Sequence, residues 1–239
     1  MQGPARPLIA LLSVVLSVSF AASPFLVADF KGFDPAQFPV RQDNPPVQPS
    51  GYAFGIWGGI YGWLILGSLW GLIKAPRDGQ WHEMRLPLCV SLAVGTGWLA
   101  VAVVSPIWAT VLIWAMLISA LAALFMTPMT DRVWAAYPLG LYAGWLSGAS
   151  FVSLGLLLAG FGFLDQTTAA LICVALAAGL GTFVQAVLGR APTYGMAVIW
   201  ALIGIAVANR DGATPIVAYV AGAGVVLVLI PTLAALRRG

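Results

Sequence analysis

The chain has 239 residues, of which 61% are hydrophobic and 8% charged, against roughly 25% charged in ordinary soluble domains. So few charges cannot cover a water-facing surface of this size, so composition places the chain in a bilayer with lipid against most of its exterior. The net charge is +3, but the longest basic run is Arg237-Arg238, which excludes a phosphate-binding nucleic-acid patch.

Apolar stretches of roughly 18 or more residues are long enough to cross the hydrocarbon core. Taken in order they fall at 7–28, 51–73, 87–104, 106–126, 134–160, 166–188, 192–208 and 214–236. The expectation is an all-α polytopic membrane bundle of about eight transmembrane helices, with the lipid bilayer as its surroundings. Pro, Gly and charge clusters mark the breaks, as at Ser105-Pro106, Thr127-Pro128 and Gly189 to Pro192. The first span has some features of a cleaved signal, with Arg6 before it and Ala21-Ala22-Ser23 near its end. Its apolar run continues through Phe25, Leu26 and Val27, past the usual signal core of about 7–15 residues, and a retained helix is the preferred reading.

An even number of spans puts both termini on one side. That side collects Arg6, Lys74, Arg77, Arg85, Arg132, Arg190, Arg237 and Arg238, and the other only Lys31, Arg41 and Arg210. The bias assigns the termini to the cytoplasm, as in a bacterial inner membrane, and the long polar segment 29–50 to the outside.

Chemistry-bearing residues are sparse. Every Asp, Glu, Lys and Arg reads as lying in or next to a loop, so no proton relay or ion-coupled site is visible within the spans. His82, the only histidine, falls in the charged 74–86 segment and reads as a solvated loop residue. Cys89 and Cys173 have no CxxC spacing and read as small core residues. No catalytic residue, metal ligand or cofactor is assigned. Serines such as Ser91 and Ser147 read as helix–helix hydrogen-bonding groups.

Aromatic residues and glycines form the informative pattern. In the second span Phe54, Trp57 and Tyr61 share a stripe at helical spacing, and Gly51, Gly55 and Gly59 form a small-xxx-small ladder. In the fifth, Gly140, Gly144 and Gly148 share one face, with Tyr142, Trp145 and Ala149 roughly opposite. Flat rings turned to one interior can line a pocket for a planar ligand. The competing reading is ordinary packing, with Trp70, Trp81, Trp108 and Trp134 as interfacial anchors. Trp57, Trp98 and Trp145 lie deeper. Nine of the ten tryptophans precede residue 161, which suggests a working half followed by a supporting one.

Pro49, Trp57 and Tyr61, with Tyr142-x-x-Trp145-x-x-Gly148-Ala149 and Trp98, resemble the signature of the tryptophan-rich sensory protein family. This is also called the translocator protein or peripheral benzodiazepine receptor family. The resemblance covers residues 5–155. It implies a five-helix bundle over 1–160, with 161–239 supplying three further helices packed on it and 29–50 acting as a lid. It also implies an intramembrane pocket for a porphyrin-like or sterol-like molecule, to which Trp57, Tyr61, Trp98, Tyr142, Trp145 and Ala149 contribute, and a homodimer; Phe54, one residue closer to Trp57 than the family's phenylalanine, joins these candidate ligand-binding residues through the helical stripe. Gly51, Gly95, Leu141 and Ser153 stand where the family carries Trp, Asn, Pro and Asn. Sensor or carrier is the leading function; a transporter using all eight helices and a membrane enzyme acting on lipid or porphyrin are the alternatives.

Overall fold

A computed structural model describes residues 5–27, 32–212 and 214–238. Lys31, counted above with the outer basic residues, lies outside them. Regular structure among the described residues is entirely helical: α1 Ala5–Leu26, α2 Ile56–Lys74, α3 Gly79–Ala102, α4 Pro106–Phe125, α5 Ala136–Gly160, α6 Gln166–Leu188, α7 Thr193–Asn209 and α8 Pro215–Arg237. The local signals are ordinary ones. Asp78, Ser105 and Asp165 cap α3, α4 and α6, their side chains accepting first-turn N–H groups. Proline opens α4 and α8, and Gly189, at φ 59°, ends α6 in the left-handed conformation.

Seven of the helices are long and apolar enough to cross a membrane. The exception, α7, has 17 residues and spans about 26 Å at 1.5 Å per residue, short of a core about 30 Å thick. It is packed against α5, α6 and α8, and the chain just before α2 sits on it. Protein therefore surrounds much of this short helix. The chain is thus an integral membrane helical bundle.

The first five helices close into a ring. α1 lies beside α2 and α3, α3 beside α4, α4 beside α5, and α5 meets α2. On the far side α5 also packs against α6 and α7, with α8 behind them. This central place leaves α5 the most buried of the spans, at 61% of its most apolar window. Its glycines account for the fit. A Cβ at Gly144 would overlap the Tyr194 carbonyl, and at Gly148 it would come within 2.9 Å of the Ala201 methyl. The glycine face thus meets α7, and the ring-bearing face turns toward the five-helix interior. Interhelical hydroxyl pairs reinforce the packing: Ser91 with Tyr142 at 2.9 Å, Ser147 with Tyr194 at 3.0 Å and Ser17 with Ser68 at 2.9 Å.

Three expectations are corrected. The charged segment 74–86 is not all loop: α3 starts at Gly79, because Asp78 caps it and Pro87 is accommodated within it. Trp81 and Arg85 are consequently helical and buried, at 2% and 1% exposure. Trp81 is no interfacial anchor, because its indole N–H donates to Asp131 and pins the α4–α5 loop. Arg85 is therefore an ionisable residue inside the bundle, its guanidinium over the Trp81 ring and donating to the Ala75 carbonyl. His82 is helical too, and half-buried. The second correction concerns only the first turns of the second span, which is present as Gly51–Lys74: Gly51–Gly55 is 3-10, and α2 begins at Ile56. Finally, its glycine ladder makes no close helix–helix approach among the described residues. Gly51 and Gly55 have nothing within 4 Å of a built Cβ, and Gly59 only a Leu141 methyl at 3.8 Å.

Candidate functional site

At the end of the bundle opposite the termini, residues 32–50 cross the mouth of the five-helix ring. The segment is polar in composition but is fastened at intervals. Gln37 donates to the Val103 carbonyl at the end of α3. Val40 N–H donates to the Gly160 carbonyl at the end of α5, where Phe38 occupies the space a side chain at 160 would need. Phe38 and Val47 are buried. The last stretch is held by α7 through three bonds. Asn209 donates to the Pro46 carbonyl at 2.8 Å, Ser50 N–H to the Gly204 carbonyl at 3.0 Å, and the Trp200 indole N–H to the Ala53 carbonyl at 2.9 Å.

Beneath this cover is a cavity of about 70 Å³. Phe54, Trp98, Trp145 and Ala149, four of the seven residues singled out from sequence, line it. Phe33, Gln48 and Pro49 form its roof, Ile113 of α4 and Val152 of α5 part of its wall, and Ala201 the contribution of α7. Ring packing shapes the space. Phe54 meets Trp145 edge to face at 5.8 Å, and Phe33 tilts on Trp98 at 6.5 Å.

The other three residues lie deeper and line no part of this cavity. Trp57 and Tyr61 stack on each other at 5.2 Å with planes 18° apart. Phe20 of α1 fills the space between them and Tyr142, with ring centroids 5.8, 5.1 and 5.6 Å away. Gly95 makes that placement work, since a Cβ there would come within 2.7 Å of the Phe20 ring. Tyr142 is fully buried, and its hydroxyl pairs with Ser91, which also donates to the Met116 carbonyl. These rings form a solid floor. Trp57 touches the cavity layer only through Trp145, edge to face at 6.2 Å.

The two cavity tryptophans differ in one respect. The Trp98 indole N–H donates to the Ala109 carbonyl at 2.8 Å. The Trp145 indole N–H is buried and, among the described residues, has no acceptor. A buried donor without a partner costs about 1–3 kcal/mol, and a bound partner is one way to offset that cost. No group of three or more His, Cys, Asp or Glu is placed to hold a metal among the described residues. The lining is mostly apolar and aromatic, with Gln48 and Ser153 as its polar residues, and the Trp145 ring belongs to it.

Sequence reasoning missed Phe20, Phe33 and Ala201. Phe33 carried a signal, as one of several phenylalanines in an otherwise polar segment. Phe20 sits in an apolar helix where any large residue reads alike, and a lone alanine in a seventh span gives no signal.

The sequence model of the TSPO-like protein family matches residues 9–234, so the match runs through all eight helices. Comparisons with curated proteins and with solved structures gave no match.

Proposed function

The chain belongs to the TSPO-like protein family, and we propose that it is an integral membrane binding protein, a sensor or carrier, for an apolar ring-shaped molecule bearing a hydrogen-bond acceptor. One observation carries this reading: Trp145, whose buried indole N–H lacks an acceptor among the described residues, lines a cavity walled mostly by rings and apolar side chains. A ligand acceptor would satisfy that donor while its rings lie against Trp98 and Phe54.

Size restricts the ligand. Sites for drug-sized molecules run to about 300–1,000 Å³, several times the 70 Å³ beneath the cover. A one- or two-ring compound needs modest side-chain adjustment. A tetrapyrrole or sterol needs the 32–50 cover to lift and Phe33 and Phe54 to swing aside. Phe54 is already 37% exposed, which makes its side of the cavity the natural entry. Trp57, Tyr61 and Tyr142 then act as the floor, with Phe20 wedged among them, and are reached only by a ligand that displaces Phe20.

The basic-residue bias favours termini on the cytoplasmic side of a bacterial inner membrane, with the cavity toward the outer side. A homodimer through the open glycines of α2 is part of the same reading, and intermolecular cross-linking of Gly58→Cys protein in a bilayer tests it.

Titration of purified protein in nanodiscs with acridine and with protoporphyrin IX tests the binding claim, read as tryptophan quenching. Saturable quenching by either, weakened roughly tenfold in Trp145→Phe by loss of one buried hydrogen bond, is expected. Linear, non-saturating quenching identical in Trp145→Phe and Trp98→Phe would dismiss the cavity as a ligand site.

A further inference from the structure

The opposite, arginine-rich end holds a feature the aromatic cavity does not explain. A cleft of about 180 Å³ opens where the α4–α5 loop, the start of α5, the α6–α7 turn and the end of α8 converge. Three arginines from three separate segments line it: Arg132, Arg190 and Arg238. Among the described residues, no carboxylate lines it. The two ion pairs among the described residues, Arg41 with Asp43 and Arg210 with Asp211, involve none of these arginines. Asp131, next to Arg132 in sequence, is engaged by the Trp81 indole and lines a different cleft.

We propose that this cleft is a binding site for a phosphate oxyanion, with Arg132 and Arg238 as its clamp and Arg190 as a fixed third charge.

Arg190 is fixed because its guanidinium donates to the Phe125 carbonyl at 2.9 Å and the Thr127 carbonyl at 3.0 Å, at the C-terminal end of α4. Burial first, and the nearby Arg132 second, push this guanidinium below its ordinary value. Arg132 and Arg238 have no side-chain hydrogen bond or ion pair among the described residues, which leaves their donor forks for a ligand. Arg238 is brought over the turn by Gly189: a Cβ at that left-handed position would stand 3.2 Å from the Arg238 guanidinium. Arginine forks match the paired oxygens of a phosphate in two parallel bonds. Leu188 and Ala235 supply an apolar part of the wall. Two sources present the same chemistry: the headgroup of an anionic phospholipid reaching in from the membrane surface, and free phosphate or a phosphate ester from solution.

The experiment has two arms, both on the full-length protein in phosphatidylcholine nanodiscs, whose own headgroups carry a compensating choline cation. In the first, phosphatidylglycerol is added and retained lipid is counted by native mass spectrometry. In the second, inorganic phosphate is titrated at constant ionic strength against the thermal midpoint. Each is run on the native protein, on Arg132→Gln with Arg238→Gln, and on Arg210→Gln at the opposite end. Arg190→Gln is avoided because Arg190 also secures the end of α4. Retention of phosphatidylglycerol that falls about tenfold or more in the double variant and persists in Arg210→Gln supports the proposal with a lipid as source, at the cost expected for lost charge-assisted bonds. A saturable phosphate-dependent rise in midpoint with the same residue dependence supports it with a soluble source. Absence of both effects in the native protein, or equal loss in the double variant and in Arg210→Gln, overturns it.

Discussion

The grip of α7 on the cavity cover sets how often the cavity opens, and one atom changes that grip measurably. Trp200→Phe removes the indole N–H that bonds the Ala53 carbonyl at 2.9 Å and keeps a ring to meet Tyr52, now edge to face at 5.6 Å. Ala53 is fully buried, so its carbonyl loses a partner that water does not freely replace. A bond of this kind contributes about 0.5–1.5 kcal/mol. At 1 kcal/mol the population of the opened cover rises about fivefold. Amide exchange in the 46–55 segment reads this directly: exchange under opening-limited equilibrium should accelerate about fivefold there, with α4 unchanged. If ligand enters through the opened cover, protoporphyrin association and dissociation should both quicken by that factor. The bond is lost equally from the closed free and closed bound states, so the dissociation constant stays nearly constant. Faster exchange at 46–55 with an unaltered association rate would refute the cover as the gate.

Other outcomes follow from the same contacts. Gly144→Ala should destabilise the protein by about 1–3 kcal/mol through overpacking against the Tyr194 carbonyl. Gly179→Ala on the open face of α6, with nothing within 4 Å of a built Cβ, should leave the thermal midpoint unchanged or slightly raised. Ser91→Ala combined with Tyr142→Phe should show a coupling of about 0.6 kcal/mol in a double-mutant cycle, the usual size of an interhelical membrane hydrogen bond. The Asp165 carboxyl is held below its ordinary range, first by the Thr168 hydroxyl and then by the Thr168 and Thr167 N–H groups. Its folded value is depressed, so its stabilisation is complete above the ordinary carboxylate range and is lost as pH falls through the depressed value. Thermal midpoints measured from pH 6 to pH 3 should therefore fall less steeply in Asp165→Asn than in the native protein.

Sequence made some of this architecture readable because helix periodicity carries it. The α5 glycines and rings separate onto two faces at 100° per residue, and the structure puts the glycine face on α7. The same glycine spacing on α2 meets open space, since small residues permit close approach without requiring it. The 74–86 segment misled because charge suggests loop, whereas Asp78 is a helix cap and Trp81 and Arg85 bury themselves against each other. Composition pointed to a polar segment at 29–50, and the family resemblance implied that it is a lid, but how 32–50 is fastened depends on partners distant in the chain. Asn209 and Pro46 are separated by 163 positions, and no local pattern links them. For the same reason the stripe of Phe54, Trp57 and Tyr61 could not reveal that the first ring lines a cavity while the other two rest against Phe20.

The most direct test watches the Trp145 indole proton itself. In protein carrying ¹⁵N-labelled tryptophan, the Trp145 resonance, assigned by its loss in Trp145→Phe, should move downfield and saturate as acridine is added, while that of Trp108 at the lipid surface stays in place. A Trp145 resonance that does not move while acridine saturates its binding elsewhere would contradict the account.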